Sequence, residues 1–185
     1  MAGNLYIVAT PIGNLEDITL RAISVMREVD LILAEDTRVT SKLTTHYKIT
    51  TPIISYHHHS GEAKKLEILG RLGKGDNIAL VTDAGTPGIS DPGNELIDFL
   101  YQNVPPLKEA PFKVVPIPGA SALTTALSVS GFRADKFVFL GFLPKKKRKK
   151  LFEWIKVSPS TSSGRGITLA FYESPYRILK TLTVL

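Results

Sequence analysis

The chain has no cysteine, which excludes disulfides, thiolate metal centres and a cysteine nucleophile and fits a reducing, cytoplasmic setting. Any apolar run approaching the roughly 20 residues of a membrane helix is also missing. The N-terminal stretch Leu5-Tyr6-Ile7-Val8-Ala9 reads as a short strand with no sign of a secretion signal. Neither a GxGxxG fingerprint nor a GxxxxGK[ST] P-loop is present, so the sequence offers no cradle for a dinucleotide or a nucleoside triphosphate. Low-complexity tracts are few, and 185 residues at 43% hydrophobic composition suffice for one or two buried cores.

Broad basicity is lacking as well. The net charge of +6 comes from 23 basic and 17 acidic residues, and six of the basic ones are consecutive: Lys145, Lys146, Lys147, Arg148, Lys149 and Lys150. Without them the two signs balance, so the excess points to a local contact with something anionic. Pro144 suits a helical first turn, which would set this run at the positive end of a helix dipole, where cations are disfavoured by about 0.3–1 kcal/mol each. Helix stability therefore does not explain the run. RNA phosphates do, with a solvated, mobile face as the plain alternative.

Apolar strand candidates alternate with helical patterns along the chain. Strands are expected at Leu5–Thr10, Leu31–Glu35, Ile53–Tyr56, Ile78–Thr82 and Lys113–Pro116, with helices at Thr19–Val29, Thr37–Tyr47, Glu62–Leu72 and Glu95–Gln102 between them. This alternation predicts an α/β fold with right-handed crossovers and a mainly parallel sheet. A proline-rich loop covers Gln102–Pro111, and a boundary near Pro118 divides an N-terminal α/β domain (1–117) from a C-terminal one (118–185). The latter is expected to hold a helix Ser121–Val129, a strand Lys136–Gly141, a helix Lys145–Val157, a polar loop Ser158–Gly166, a strand Ile167–Tyr172 and a helix from Pro175. Two strands make a small domain, so the sequence reads as truncated there.

Four loops follow apolar strands: Thr10–Asn14, Glu35–Arg38, Asp83–Gly93 and Pro118–Ala122. In a parallel sheet the carboxyl ends of the strands share one edge, so these loops are expected to converge on one cleft, although each alone could be a tight turn. The third is the most informative, since its glycines and prolines can continue neither strand nor helix and leave backbone groups and small hydroxyls exposed. His57-His58-His59 suggests a metal, but neighbours on a strand point to opposite faces and no further donors complete a site, so no metal is expected.

The segments Thr10–Asp17, Ala34–Arg38, Asp83–Gly93, Pro116–Ala122, Gly141–Pro144 and Phe171–Pro175 together resemble the bacterial small-subunit rRNA cytidine 2'-O-methyltransferases of the tetrapyrrole methylase superfamily, in the same order from residue 5 to about residue 180. The resemblance implies a two-domain S-adenosylmethionine-dependent enzyme, commonly homodimeric, with its cofactor in a cleft between the domains. It implies cofactor contacts from Asp83, Ala84, Gly85, Thr86, Pro87, Ile89, Ser90, Ser121, Ala122, Tyr172 and Glu173, and a substrate side at Pro11, Gly13 and Asn14. The basic run would meet ribosomal RNA.

Methyl transfer needs alignment above all, and a general base helps a ribose hydroxyl react. Glu35, Asp36, Asp83 and Glu173 are candidates, with Arg38 available for a phosphate; Glu35, Asp36 and Arg38 are the expected catalytic group, and Asp36 reads equally well as a helix N-cap. A tetrapyrrole methylase and a non-catalytic RNA-binding module are the alternative functions.

Overall fold

The computed structural model describes residues 2–91, 93–103, 112–145, 148–157 and 167–184. Residues 104–111 of the proline-rich loop, the polar loop at 158–166, and Lys146 and Lys147 lie outside the described residues. The chain divides into two compact units, Met1–Ala122 and Leu123–Leu185, with the division directly after the segment Pro118–Ala122, a few residues beyond the boundary expected near Pro118.

The first unit is built on five parallel strands: β1 (Asn4–Val8), β2 (Leu31–Ala34), β3 (Ile53–Ser55), β4 (Ile78–Val81) and β5 (Lys113–Ile117). Four helices connect them: α1 (Leu20–Glu28), α2 (Thr37–His46), α3 (Glu62–Lys74) and α4 (Gly93–Gln102). The sheet order is β3-β2-β4-β1-β5, so the connections that leave β1 and β4 run in opposite directions along the sheet. Strand alternation sorts the apolar side chains into two cores. Leu5, Leu33, Ile78 and Leu80 pack with Ile68 and Leu72 of α3 and Leu96 and Leu100 of α4. Val8, Ile32, Ala79 and Val81 pack on the opposite face with Ala22 and Met26 of α1 and Leu43 of α2. Burial on both faces explains why β2 and β4 read as unbroken apolar runs.

Local signals set the helix starts. The Thr19 hydroxyl accepts the Ala22 amide at 3.0 Å to cap α1, and the Asp36 carboxylate accepts the Arg38 amide at 2.8 Å to cap α2. The three histidines correct the strand reading: β3 ends at Ser55, and they sit in the turn beyond it. There the His59 amide donates to His57 Nδ1 at 3.2 Å, and His58 Nδ1 lies 3.6 Å from a Glu95 carboxylate oxygen.

The second unit holds two parallel strands, β6 (Phe137–Phe142) and β7 (Thr168–Tyr172), with helices α5 (Ala122–Val129), which opens at the division, α6 (Lys149–Val157) and α7 (Ile178–Leu182). Helix α6 starts later than Pro144 suggests. Arg148 is the residue at its entry, its carbonyl accepting the Phe152 amide at 2.9 Å, so Lys145 stands ahead of the helix and does not crowd its first turn.

Helix α4 enters the first unit through a backbone contact that only glycine permits. A Cβ on Gly93 would lie 2.7 Å from the Gly88 nitrogen and 3.1 Å from its Cα. Replacing Gly93 by alanine forces backbone atoms apart, and thermal unfolding of the variant is expected to show a loss of about 1–3 kcal/mol, with the melting midpoint several degrees lower.

Candidate active site

The oppositely directed connections from β1 and β4 open a crevice at the carboxyl ends of these neighbouring strands, the position where open α/β sheets bind ligands. A pair of backbone hydrogen bonds spans it. The Thr10 amide donates to the Gly85 carbonyl at 2.9 Å, the Gly85 amide returns to Thr10 at 3.1 Å, and the Thr10 hydroxyl donates to the Thr82 carbonyl at 3.0 Å. Gly85 makes this bridge with φ at +88°, a conformation that L side chains disfavour. The Thr86 hydroxyl then donates to the Ala120 carbonyl at 3.2 Å and joins the turn after β5 to the same site. Three of the four loops therefore meet through hydrogen bonds, as the sequence leads one to expect.

The glycine-rich loop is held in shape by its own side chains. One Asp91 carboxylate oxygen accepts the amides of Gly88 and, at 3.2 Å, Gly93, while the Asn94 amide group donates to the Gly88 carbonyl at 2.6 Å. Within this frame Ser90 adopts φ of +70° and Ile89 leaves 45% of its surface exposed. A strained residue and an exposed apolar one in a braced loop mark a surface shaped for a ligand.

The fourth loop joins through the carboxylates. The Asp36 amide donates to Asp83 Oδ1 at 3.1 Å, and the Thr82 hydroxyl donates to Glu35 Oε2 at 2.8 Å. Asp36 itself is fully engaged: besides capping α2 it pairs with the Arg38 guanidinium at 2.6 Å. Hydrogen bonds from the Arg38 side chain and amide hold its carboxyl down to about 2. Asp83 is shifted the other way. Desolvation among the loops raises its carboxyl and the nearby Glu35 carboxylate adds to the rise, although the side chain keeps access to solvent. Its Oδ2 accepts no hydrogen bond among the described residues.

Beside these groups lies a cleft of about 220 Å3. Pro11, Leu15, Val39 and Leu43 give it apolar walls; Thr10, Thr40, Thr82 and Asp83 contribute polar groups, and Gly13 and Lys42 complete the lining. Asp83, Pro11 and Gly13 are expected site residues. Leu15, Val39, Thr40 and Lys42 are not, because on the chain they read as an ordinary turn and an amphipathic helix. The hydroxyl-to-carboxylate bond from Thr82 to Glu35 is a further addition, spanning two strand ends that are adjacent only once the sheet is ordered.

Asn14, also expected, accepts the Glu16 amide on its Oδ1 at 3.1 Å and is not part of the cleft lining, while further expected residues lie at the division and in the second unit. Ser121 and Ala122 follow directly on the Ala120 turn. The Tyr172 ring packs edge-on against Phe139, with centroids 4.9 Å apart. Glu173 is nearly sealed, with 1% of its side chain exposed, and receives the Thr181 hydroxyl at 2.7 Å, the Ser174 amide at 2.8 Å and the Arg177 guanidinium. Burial pushes its carboxyl up, but the hydrogen bonds from Thr181 and Ser174 and the charges of Arg177 and Arg148 outweigh this and leave it below its ordinary value. Arg148 is turned inward from the basic run, hydrogen-bonding Thr181 at 3.0 Å and lying 3.5 Å from Glu173, with 17% of its side chain exposed. Lys145 and Lys150 are exposed. Arg148 thus serves the buried carboxylate and does not share the exposed setting of Lys145 and Lys150.

Residues 4–185 match the family described as Tetrapyrrole (Corrin/Porphyrin) Methylases. The chain is 51% identical over 181 residues to the ribosomal RNA small subunit methyltransferase I of Synechocystis, covering 98% of this chain and 61% of that protein. It is 48% identical to the protein of the same name from Halalkalibacterium halodurans, covering 97% and 58%. The chain therefore spans about three fifths of the length of these curated relatives. A uroporphyrin-III-C-methyltransferase structure from Thermus thermophilus is similar in fold, with a TM-score of 0.53 at 23% identity over 77% of this chain and 61% of that one.

The two aspartates should leave opposite marks on stability. Asp36, with its carboxyl lowered by folding, contributes stability that is complete above 3.8 and is lost as pH falls through about 2. Asp83, raised by folding, costs stability once it ionises. Unfolding measured across pH should show Asp36→Asn destabilising near neutrality with the difference closing in acid, and Asp83→Asn stabilising near neutrality with that gain vanishing as pH falls below the ordinary carboxylate range.

Proposed function

Because the chain belongs to the tetrapyrrole (corrin/porphyrin) methylase family, we propose that it carries the donor loop of an S-adenosylmethionine-dependent enzyme that methylates the ribose 2'-hydroxyl of a cytidine in small-subunit ribosomal RNA. The observation that carries this reading is the 51% identity over 98% of the chain to a protein named for that rRNA activity. The same reading includes a cytoplasmic homodimer.

The residues present fit the cofactor. Asp83–Ser90 offers backbone groups, hydroxyls, the exposed Ile89 and one carboxylate, with no cation. That set suits a cationic ligand free of phosphate, whereas a nucleotide phosphate would need the opposite charge. Asp83, Thr86, Ile89 and Ser90 would hold it, together with Ser121 and Ala122. When bound, S-adenosylmethionine supplies a methyl group activated by its sulfonium.

The chain's own residues supply alignment and a proton acceptor. Thr10 and Gly85 fix the loop, so donor and acceptor positions are set before reaction and little ordering entropy remains to be lost. Asp83 takes the hydroxyl proton, because its free Oδ2 and raised carboxyl make it a better acceptor than Asp36, held near 2, or Glu173, whose oxygens are occupied. Glu35 supports it through Thr82. Lys145 and Lys150, with the other lysines of the run, meet RNA phosphates.

A small-molecule tetrapyrrole substrate is the second reading, favoured by the family description alone, and it has no use for the lysine run. Methyl transfer to small-subunit rRNA is expected from the protein at its relatives' length. Replacing the run's lysines by alanine, with Arg148 retained, should weaken RNA binding and lower its salt slope by about 0.7 per lost single-strand phosphate contact, leaving S-adenosylmethionine affinity unchanged. Absence of methyl transfer to that RNA, or transfer indifferent to the lysines with tight porphyrinoid binding, overturns the reading.

A further inference from the structure

The cleft beside Asp83 shares that residue alone with the loop proposed to hold the methyl donor. A group held in the cleft therefore meets the donor loop at Asp83. Three features describe what such a group must be. The volume of about 220 Å3 falls below the roughly 300–1,000 Å3 of sites for drug-sized ligands, which suits a single small ring. Leu15 and Val39 stay 40% and 38% exposed at its walls, apolar surfaces that a flat heterocycle would remove from water. Lys42, in the same lining, has no ion pair among the described residues and stands ready for an anionic group.

The rim is also built for close approach. The Tyr47 hydroxyl donates to the Leu15 carbonyl at 2.7 Å and fixes that wall. Gly13, at φ of +138°, has no atom within 4 Å of the place where a Cβ would stand, so nothing blocks the cleft from its side.

We propose that this cleft receives one pyrimidine nucleotide drawn out of its RNA stack, its base between Leu15 and Val39, its phosphate at Lys42 and its ribose at Asp83. The ligand class rests on the RNA reading above. A base buried in a pocket cannot remain stacked on its neighbours, so the nucleotide must be extruded, as in other enzymes that act on single nucleotides. A purine's second ring adds bulk to a cleft that already lies below the usual range for ligand sites, which makes size a source of selectivity. In this arrangement the proton acceptor and the base clamp belong to one lining, so selection of the nucleotide and positioning of its hydroxyl are the same event.

The test titrates the isotope-labelled chain with cytidine, uridine and adenosine monophosphates and follows its amide resonances. The two pyrimidines are expected to shift Gly13, Leu15, Val39 and Asp83 saturably, with the purine about tenfold weaker or more. Val39→Trp and Leu15→Trp, both at partly exposed positions and checked for folding by circular dichroism, should each abolish these shifts. No saturable shift at those amides, equal binding of the purine, or binding unchanged in both tryptophan variants overturns the proposal. A parallel methylation assay separates it from the functional reading. Transfer to rRNA with KM unaltered in both variants sinks the pocket and leaves the reading, whereas pyrimidine binding without methyl transfer sinks the reading and leaves the pocket.

Discussion

Two backbone hydrogen bonds between Thr10 and Gly85 tie the ends of β1 and β4 together at the one place where the sheet's connections part. Parallel strands with oppositely directed crossovers leave a crevice there, and without a bridge its walls would be two independent loops. With it, the Thr82 carbonyl is held by the Thr10 hydroxyl and Asp83 is fixed at the next position. Asp83 in turn receives the Asp36 amide at the start of α2. The site's geometry thus follows from main-chain pairing, which side-chain substitution elsewhere in the loops does not remove.

The bridge also explains the division of labour among the acidic residues. Asp36 is spent locally, on its own helix and on Arg38, and its charge is stabilised so strongly that it has little tendency to take a proton. Asp83 is raised by desolvation among the loops and further by the nearby Glu35 carboxylate, a like charge that disfavours its ionised form. Two aspartates joined by a single hydrogen bond are consequently shifted in opposite directions. The Thr82–Glu35 bond keeps this pair of strand ends in register, so the unfavourable proximity is maintained by the fold.

Much of this was legible from the chain. Apolar runs ending in glycine, proline or small hydroxylated residues located the strand ends, because a strand buried on both faces has no polar alternation to blur and its terminators are chemically distinct. Asp36 as a cap was equally readable, since capping depends on residues two positions apart. Sheet order was not, and with it went the cleft: Leu15 and Val39 share one lining only after β1 and β2 take their places around β4. Arg148 shows the same limit in another form. Among five lysines it reads as one more exposed cation, and only a carboxylate 25 positions away and a threonine farther on reveal that it is structural.

Glu173 and Asp83 make the general point that a carboxylate's use is decided by its partners. Glu173 is the more deeply buried, and burial alone would favour its neutral form; yet two hydrogen-bond donors and two guanidinium groups surround it, and they win. Removing one partner would leave a buried charge short of compensation, so the cluster is a structural commitment of β7 and α7. Asp83 has fewer partners, and desolvation among the loops together with the nearby Glu35 carboxylate shifts its carboxyl upward. A group with every lone pair occupied can brace a strand end but cannot exchange a proton with a ligand; a group with one free oxygen and a raised carboxyl can. Chemistry is therefore expected where hydrogen bonding is incomplete, and in this protein that is the bridged end of β4.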